Sequence, residues 1–171
     1  SALSASNLAR SLPWVEDFDW YSQFEIPPLR KHRTRFTPAD ITALREANKF
    51  VLCDPLCGVD GFPVPEWDRG RKRPIMHPDI NAAISKDILI KGLIPRKEFV
   101  RANAAASRWS VQFDFASWYD QLPLHIKISA LFCFQDRQCL ASLPMGFRPS
   151  ADVAQSITAA IADFPLPAGV N

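Results

Sequence analysis

Glycine is scarce in this sequence, at 6 of 171 residues, and methionine and tyrosine are scarcer still at 2 each. So few glycines argue against flexible linkers and exclude a collagen-like repeat. Long hydrophobic runs are also missing. The longest, at residues 130–134, is far shorter than the ~20 residues of a membrane-spanning helix. Four cysteines are too few to staple a chain of this length, which excludes a disulfide scaffold. No secretory leader opens the sequence and no Met stands first, so Ser1 reads as a cut end. Proline is plentiful at 15 residues and sets many fixed bends, while 47% hydrophobic and 22% charged side chains are the composition of a folded domain or of two small lobes.

Cys53 and Cys57 flank Pro55 in a Cys-x3-Cys spacing that can hold zinc, but Cys133 and Cys139 are separated by five residues in an apolar stretch. The expectation is buried or half-buried thiols in a reducing, intracellular compartment, cytoplasm or nucleus. His32, His77 and His125 are scattered and add no ligand set.

The net charge of +2 conceals a segregation. Residues 1–29 carry one basic and four acidic side chains, residues 30–108 sixteen and nine, and residues 109–171 three and five. The middle third is cationic, with one knot at Arg30, Lys31, Arg33 and Arg35 and another at Arg69, Arg71, Lys72 and Arg73. Such knots suit the neutralisation of phosphates and the release of their counterions. Either one alone is also compatible with a solvated basic surface.

Residues 1–29 are aromatic and acidic and end in Ile26-Pro27-Pro28, which predicts an irregular arm packing on something else. A helix is expected after Thr37 as cap, with Pro38 in the first turn and Asp40 near the positive end of the dipole. Residues 50–53 read as a strand, 55–65 as a loop with an extended end, 69–71 as a turn and 74–76 as an extended piece. A short helix begins at Asp79, and a longer Ala-rich one spans 96–107. In residues 109–115, Trp109, Val111, Phe113 and Phe115 alternate with Ser110, Gln112 and Asp114, the period of a half-buried strand with Asp114 on its polar face. A lone strand aspartate is most often simply solvated. One fixed at an open groove is also what a hard metal ion needs. Residues 128–134 and 139–143 form an expected hairpin over a polar turn, and Ser150 an expected cap for a last helix with Val153, Ile157 and Ile161 on one face.

Four blocks in this order resemble the fingers and palm of reverse transcriptases. Arg71-Lys72-Arg73-Pro74-Ile75, followed by Asp79-Ile80-Asn81, looks like the fingers element that closes over a nucleotide. Asp114-Phe-Ala-Ser-Trp-Tyr119, closing in Pro123-Leu124, resembles the first catalytic block. Leu143-Pro144-Met145-Gly146-Phe147-Arg148-Pro149-Ser150, with Gln155 on the following helix, resembles the block that positions nucleotide and template. The apolar hairpin between them is generic. The flavour of the third block is similar to retroelements of the DIRS and VIPER types, which carry tyrosine recombinases.

The resemblance implies an α+β fold: a right-hand polymerase fragment with an antiparallel palm sheet packed on helices. It divides the chain into an N-terminal arm (1–36), a fingers-like part (37–108) and a partial palm (109–171). It implies an RNA-directed DNA polymerase joining dNTPs to a primer on an RNA or DNA template, by phosphoryl transfer assisted by two Mg²⁺ or Mn²⁺ ions. Asp114 would bridge those ions, with the Phe115 carbonyl completing the coordination. Tyr119 would wall off a 2′-hydroxyl. Lys72 or Arg73 would hold the triphosphate: alignment on Arg-Pro-Ile favours Arg73, alignment on Asn81 favours Lys72. Met145 and Gly146 would line the nucleotide, Gln155 would face the groove, and Arg69, Arg71 and Arg148 would contact nucleic acid. The family's aromatic-x-Asp-Asp block is absent from these 171 residues, which predicts a chain inactive alone, with a sheet edge open to self-association. A non-catalytic nucleic-acid-binding or assembly module and an RNA-dependent RNA polymerase are the competing readings. No membrane partner is expected.

Overall fold

A computed structural model describes residues 1–31, 34–110, 112 and 114–165. Arg33 and His32, and the apolar strand positions Val111 and Phe113, lie outside the described residues. The fold is mixed α+β, with two small antiparallel sheets and helices around them.

The N-terminal segment is helical where an irregular arm was expected. α1 (Ala2–Ser11) and α2 (Pro13–Glu16) are followed by a 3-10 turn over Phe18–Gln23. α1 lies along α6 (Ser150–Ala162), with Ser11 Oγ and Ser156 Oγ buried 2.8 Å apart. The segment does pack, and its aromatics supply much of the main core. Trp14 stands edge-on to Trp20, Tyr21 and Phe147 and stacks on Phe24, while Tyr21 donates its hydroxyl to the Trp14 carbonyl at 2.5 Å. Burial pushes the Tyr21 phenol well above its ordinary value.

α3 (Pro38–Glu46) has the expected start: Thr37 Oγ1 accepts from the Asp40 amide, and the Asp40 carboxylate accepts from the Thr37 amide. β1 (Phe50–Leu52) then enters a three-stranded sheet ordered β1-β5-β4, built with β4 (Cys133–Gln135) and β5 (Gln138–Leu140). The expected hairpin forms over its polar turn. Its first strand is shorter than expected, because residues Ile126–Ser129 close into the helical turn α5.

The expected loop at 55–65 is largely strand. β2 (Val59–Glu66) pairs along its full length with β3 (Arg71–Pro78) and makes a long two-stranded arm. It turns through Trp67–Arg69 and Gly70, whose φ of +57° is the left-handed conformation glycine adopts without steric cost. Near the arm's base, Gly61 lies so close to the sheet that a Cβ there would sit 2.6 Å from the Phe134 ring and 2.8 Å from Phe36. Those rings, Leu44 and the partly buried Phe50 and Met76 form a smaller core under the arm. A 3-10 turn at Asp79–Ala83 follows, and α4 (Lys97–Ala106) presents no buried side chain.

The alternating segment 109–115 is not a strand in its described residues. Trp109 is 82% exposed, Ser110, Gln112 and Asp114 are exposed, and Phe115 stacks on Trp118 at 4.4 Å. An alternating pattern specifies a strand only when another strand accepts its hydrogen bonds and a core receives its apolar face. No strand runs through the described residues of this segment.

Candidate functional site

The bend at residues 143–148 is where the motif blocks meet. Leu143 donates its amide to the Leu122 carbonyl at 2.9 Å, and Leu124 donates to the Ala141 carbonyl at 3.1 Å, around an antiparallel bridge between Pro123 and Ser142. The Pro-Leu end of the Asp114 block is thus zipped onto the strand entering Leu-Pro-Met-Gly. From the other side comes the end of the arm. A Cβ on Gly146 would lie 1.8 Å from the Met76 carbonyl oxygen, so β3 backbone occupies the space a side chain would need. Asn81, 8% exposed, fastens this contact. Its side-chain amide donates to the Gly146 carbonyl at 2.9 Å, and its oxygen accepts the Arg148 amide at 2.8 Å.

Around this junction the expected site residues take different places. Met145 is 61% exposed on the bend, and Gln155 is half-buried on α6. Tyr119 lies in a 3-10 turn over Trp118–Gln121, half-buried against the main core, and that burial raises its phenol above the ordinary value. Arg148 turns inward: its guanidinium donates to the Ile84 carbonyl and so holds the turn after Asn81. Ser150 is the first residue of α6, not its cap, and donates to the Pro144 carbonyl at 2.6 Å.

At the arm's tip the cations are restrained by carboxylates. Arg71 meets Glu66 at 2.6 Å, Arg73 also pairs with Glu66, and Lys72, on the opposite face of the strand, reaches Asp40 at 3.0 Å. Cross-strand register explains the first two, since Glu66 stands opposite Arg71 and Val64 opposite Arg73, all on one face. The Arg71 guanidinium, then that of Arg73, holds the Glu66 carboxyl below the ordinary carboxylate value. Asp40 is lowered first by the Thr37 amide and then by Lys72. Arg69 is exposed in the turn. Nearer the base, Arg35 pairs with Asp60 at 2.9 Å and lies 4.4 Å over the Phe62 ring.

Sequence reasoning missed Glu66 and gave Asn81 no bonding role. Reading 59–78 as one hairpin about Gly70 would have put Glu66 opposite Arg71. The two-way grip of Asn81 carries no local sequence signal, because its partners are 65 and 67 residues away.

Asp114 is exposed on irregular chain at the near end of the 3-10 turn. The neighbouring Asp120 carboxylate is paired with Lys49 at 2.5 Å. Among the described residues, no group of three or more His, Cys, Asp or Glu side chains is gathered to hold a metal ion. The residues here do not by themselves complete a two-ion site. None of the four cysteines forms a disulfide, and Cys57 is buried in the main core while Cys53 is only half-buried. Among the described residues no helix is long and apolar enough to cross a membrane. No family model, no curated protein and no solved structure matches this chain.

Proposed function

We propose that these residues are the fingers and part of the palm of an RNA-directed DNA polymerase, of the retroelement kind that the third motif block resembles. The observation that carries this reading is the meeting at Gly146. Three blocks separated in sequence, those that contain Asn81, Leu124 and Arg148, converge on one bend through backbone contacts and one shared side chain. A polymerase needs such a junction, because the element over the nucleotide, the carboxylate and the surface under the sugar must keep a fixed geometry.

In this reading Asp114 would be one of the carboxylates that hold Mg²⁺, and the others would come from an aromatic-x-Asp-Asp block that these residues do not contain. When bound, such ions neutralise the triphosphate and favour the primer hydroxyl as nucleophile. The chain's own contributions are Tyr119 as a wall beside the sugar, Met145 and the Gly146 backbone beneath the nucleotide, Gln155 toward the groove, and Lys72 or Arg73 on phosphate. Either cation must first leave its carboxylate.

In a polypeptide that includes the missing block, Asp114→Asn lowers template-dependent dNTP incorporation at least about a hundredfold while the far-UV spectrum is unchanged. Tyr119→Val relaxes discrimination against ribonucleotides; an unchanged sugar preference counts against this role for Tyr119. The 171 residues alone incorporate no dNTP, and detection of incorporation would overturn the assignment of a single carboxylate.

The exposed, irregular setting of Asp114 favours one second reading: a polymerase-derived lobe that binds nucleic acid without catalysis. It is distinguished by full activity, or equal inactivity, of Asp114→Asn and wild type.

A further inference from the structure

Three of the four thiols share one face of the β1-β5-β4 sheet. Cys133 and Cys139 are directly opposed across β4 and β5. The Leu140 amide donates to the Phe132 carbonyl at 2.9 Å, which makes this opposed pair a non-hydrogen-bonded one. Residues so placed lie about 4.5 Å apart between Cα atoms, within the range of about 4.4–6.8 Å that a disulfide spans. On the other side of β5, Val51 opposes Cys139, and Cys53, two residues on, is its diagonal neighbour on the same face. The Cys139 thiol interacts with the thiols of both Cys53 and Cys133. It is the middle member of a row.

The three differ in access. Cys139 and Cys133 are buried, and burial raises both thiols above their ordinary value, which keeps them protonated and slow toward oxidants. Cys53 is half-buried and lines an open groove of about 250 Å³ with Phe18, Leu56 and Lys127. Cys57 lies outside the row, buried in the main core.

We propose that Cys53, Cys139 and Cys133 form a thiol relay that converts a hydroperoxide oxidation at the groove into a buried cross-strand disulfide. The Cys53 sulfur attacks the peroxide O–O bond, gains one oxygen as sulfenic acid and releases water, or an alcohol from an organic hydroperoxide. The Cys139 sulfur then displaces that hydroxyl, which leaves with the Cys139 proton as water, and a Cys53–Cys139 disulfide forms. The Cys133 sulfur attacks Cys139, giving the Cys133–Cys139 bridge, and its proton returns Cys53 to a thiol. Two thiols lose two electrons in all, and the peroxide takes them up. The relay does not depend on the polymerase reading.

The test is to treat the folded chain with hydrogen peroxide, quench by alkylation under denaturing conditions and map the peptides by mass spectrometry. The expected product has Cys133 bridged to Cys139, with Cys53 and Cys57 alkylated. Cys53→Ser slows the bridge at least tenfold, and Cys57→Ser leaves its rate unchanged. In the wild-type chain dimedone traps a sulfenic acid at Cys53 and at neither buried thiol, which tests the first step even if the variant folds poorly. A terminal Cys53–Cys139 bridge overturns the last transfer. Four alkylatable thiols after treatment, or an undiminished rate in Cys53→Ser, overturn the relay.

Discussion

At its base the β2–β3 arm meets the rest of the protein through backbone. The Met76 carbonyl fills the space where a Cβ of residue 146 would be, and Asn81 bonds the bend in both directions. At its tip the same two strands stand in solvent, with Trp67 87% exposed and Arg71 and Arg73 sharing Glu66. The base is specified by shape, the tip by charge. Shape contacts are short-ranged and indifferent to salt, so the base fixes where the arm is rooted. Exposed ion pairs are screened and exchange partners readily, so the tip can give up a carboxylate for a stronger anion. An element that must be rooted in one place and still hold a changing ligand gains from this division.

The division is broken most severely at Gly146. Gly146→Ala drives a methyl into the Met76 carbonyl, and since backbone on both sides must move, a loss of about 3 kcal/mol or more is expected in chemical denaturation. A loss below about 1 kcal/mol would mean that the bend is not seated on β3. Asn81→Ala comes next. It leaves the Gly146 carbonyl and the Arg148 amide without their partner in a partly buried place, and costs about 1–2 kcal/mol by the same measurement. Neither loss responds to salt between low and moderate ionic strength, which separates both from any change at the tip.

How far these features were legible differs by element and for physical reasons. The start of α3 was legible because a capping box is a local signal, with Thr37 and Asp40 three residues apart. The turn at Gly70 was legible for the same reason, although the strands on either side were underread because their prolines suggested loop. The helicity of the first residues was not legible. The face of α1 nearest the body carries Ser4, Asn7, Leu8 and Ser11, which have helical spacing, but three of the four are polar and so do not mark a core-facing stripe. At 109–115 the error ran the other way, since strong contrast predicted a strand that the described residues of the segment do not form. The junction of the three blocks was not legible, since Asn81 and Gly146 meet only through the fold. The arginines were read as free cations because a sequence shows charge without showing the carboxylate opposite. Arg71 and Arg73, which share Glu66, are the clearest cases.

The smallest expected effect on stability is at the tip, and it sharpens the comparison most. The Glu66 carboxyl is held below its ordinary value by Arg71 and then Arg73, so its pairing stabilises the folded state fully above the ordinary glutamate value of 4.5 and is lost as pH falls from there through the lowered one. Glu66→Gln removes this dependence. The difference in melting temperature between wild type and variant is therefore small and constant above pH 4.5, closes below it, and shrinks with added salt. Near neutral pH the same substitution releases two guanidinium groups that a phosphate chain can then engage. Binding of a single-stranded oligonucleotide becomes tighter at low salt, and the slope of log affinity against log salt steepens by about 1–2. A steeper slope together with that small melting difference identifies the tip as a phosphate contact whose cations Glu66 holds in check. An unchanged slope means that Arg71 and Arg73 serve the hairpin alone, and the phosphate-binding role then falls to Lys72, which Asp40 restrains on the other face.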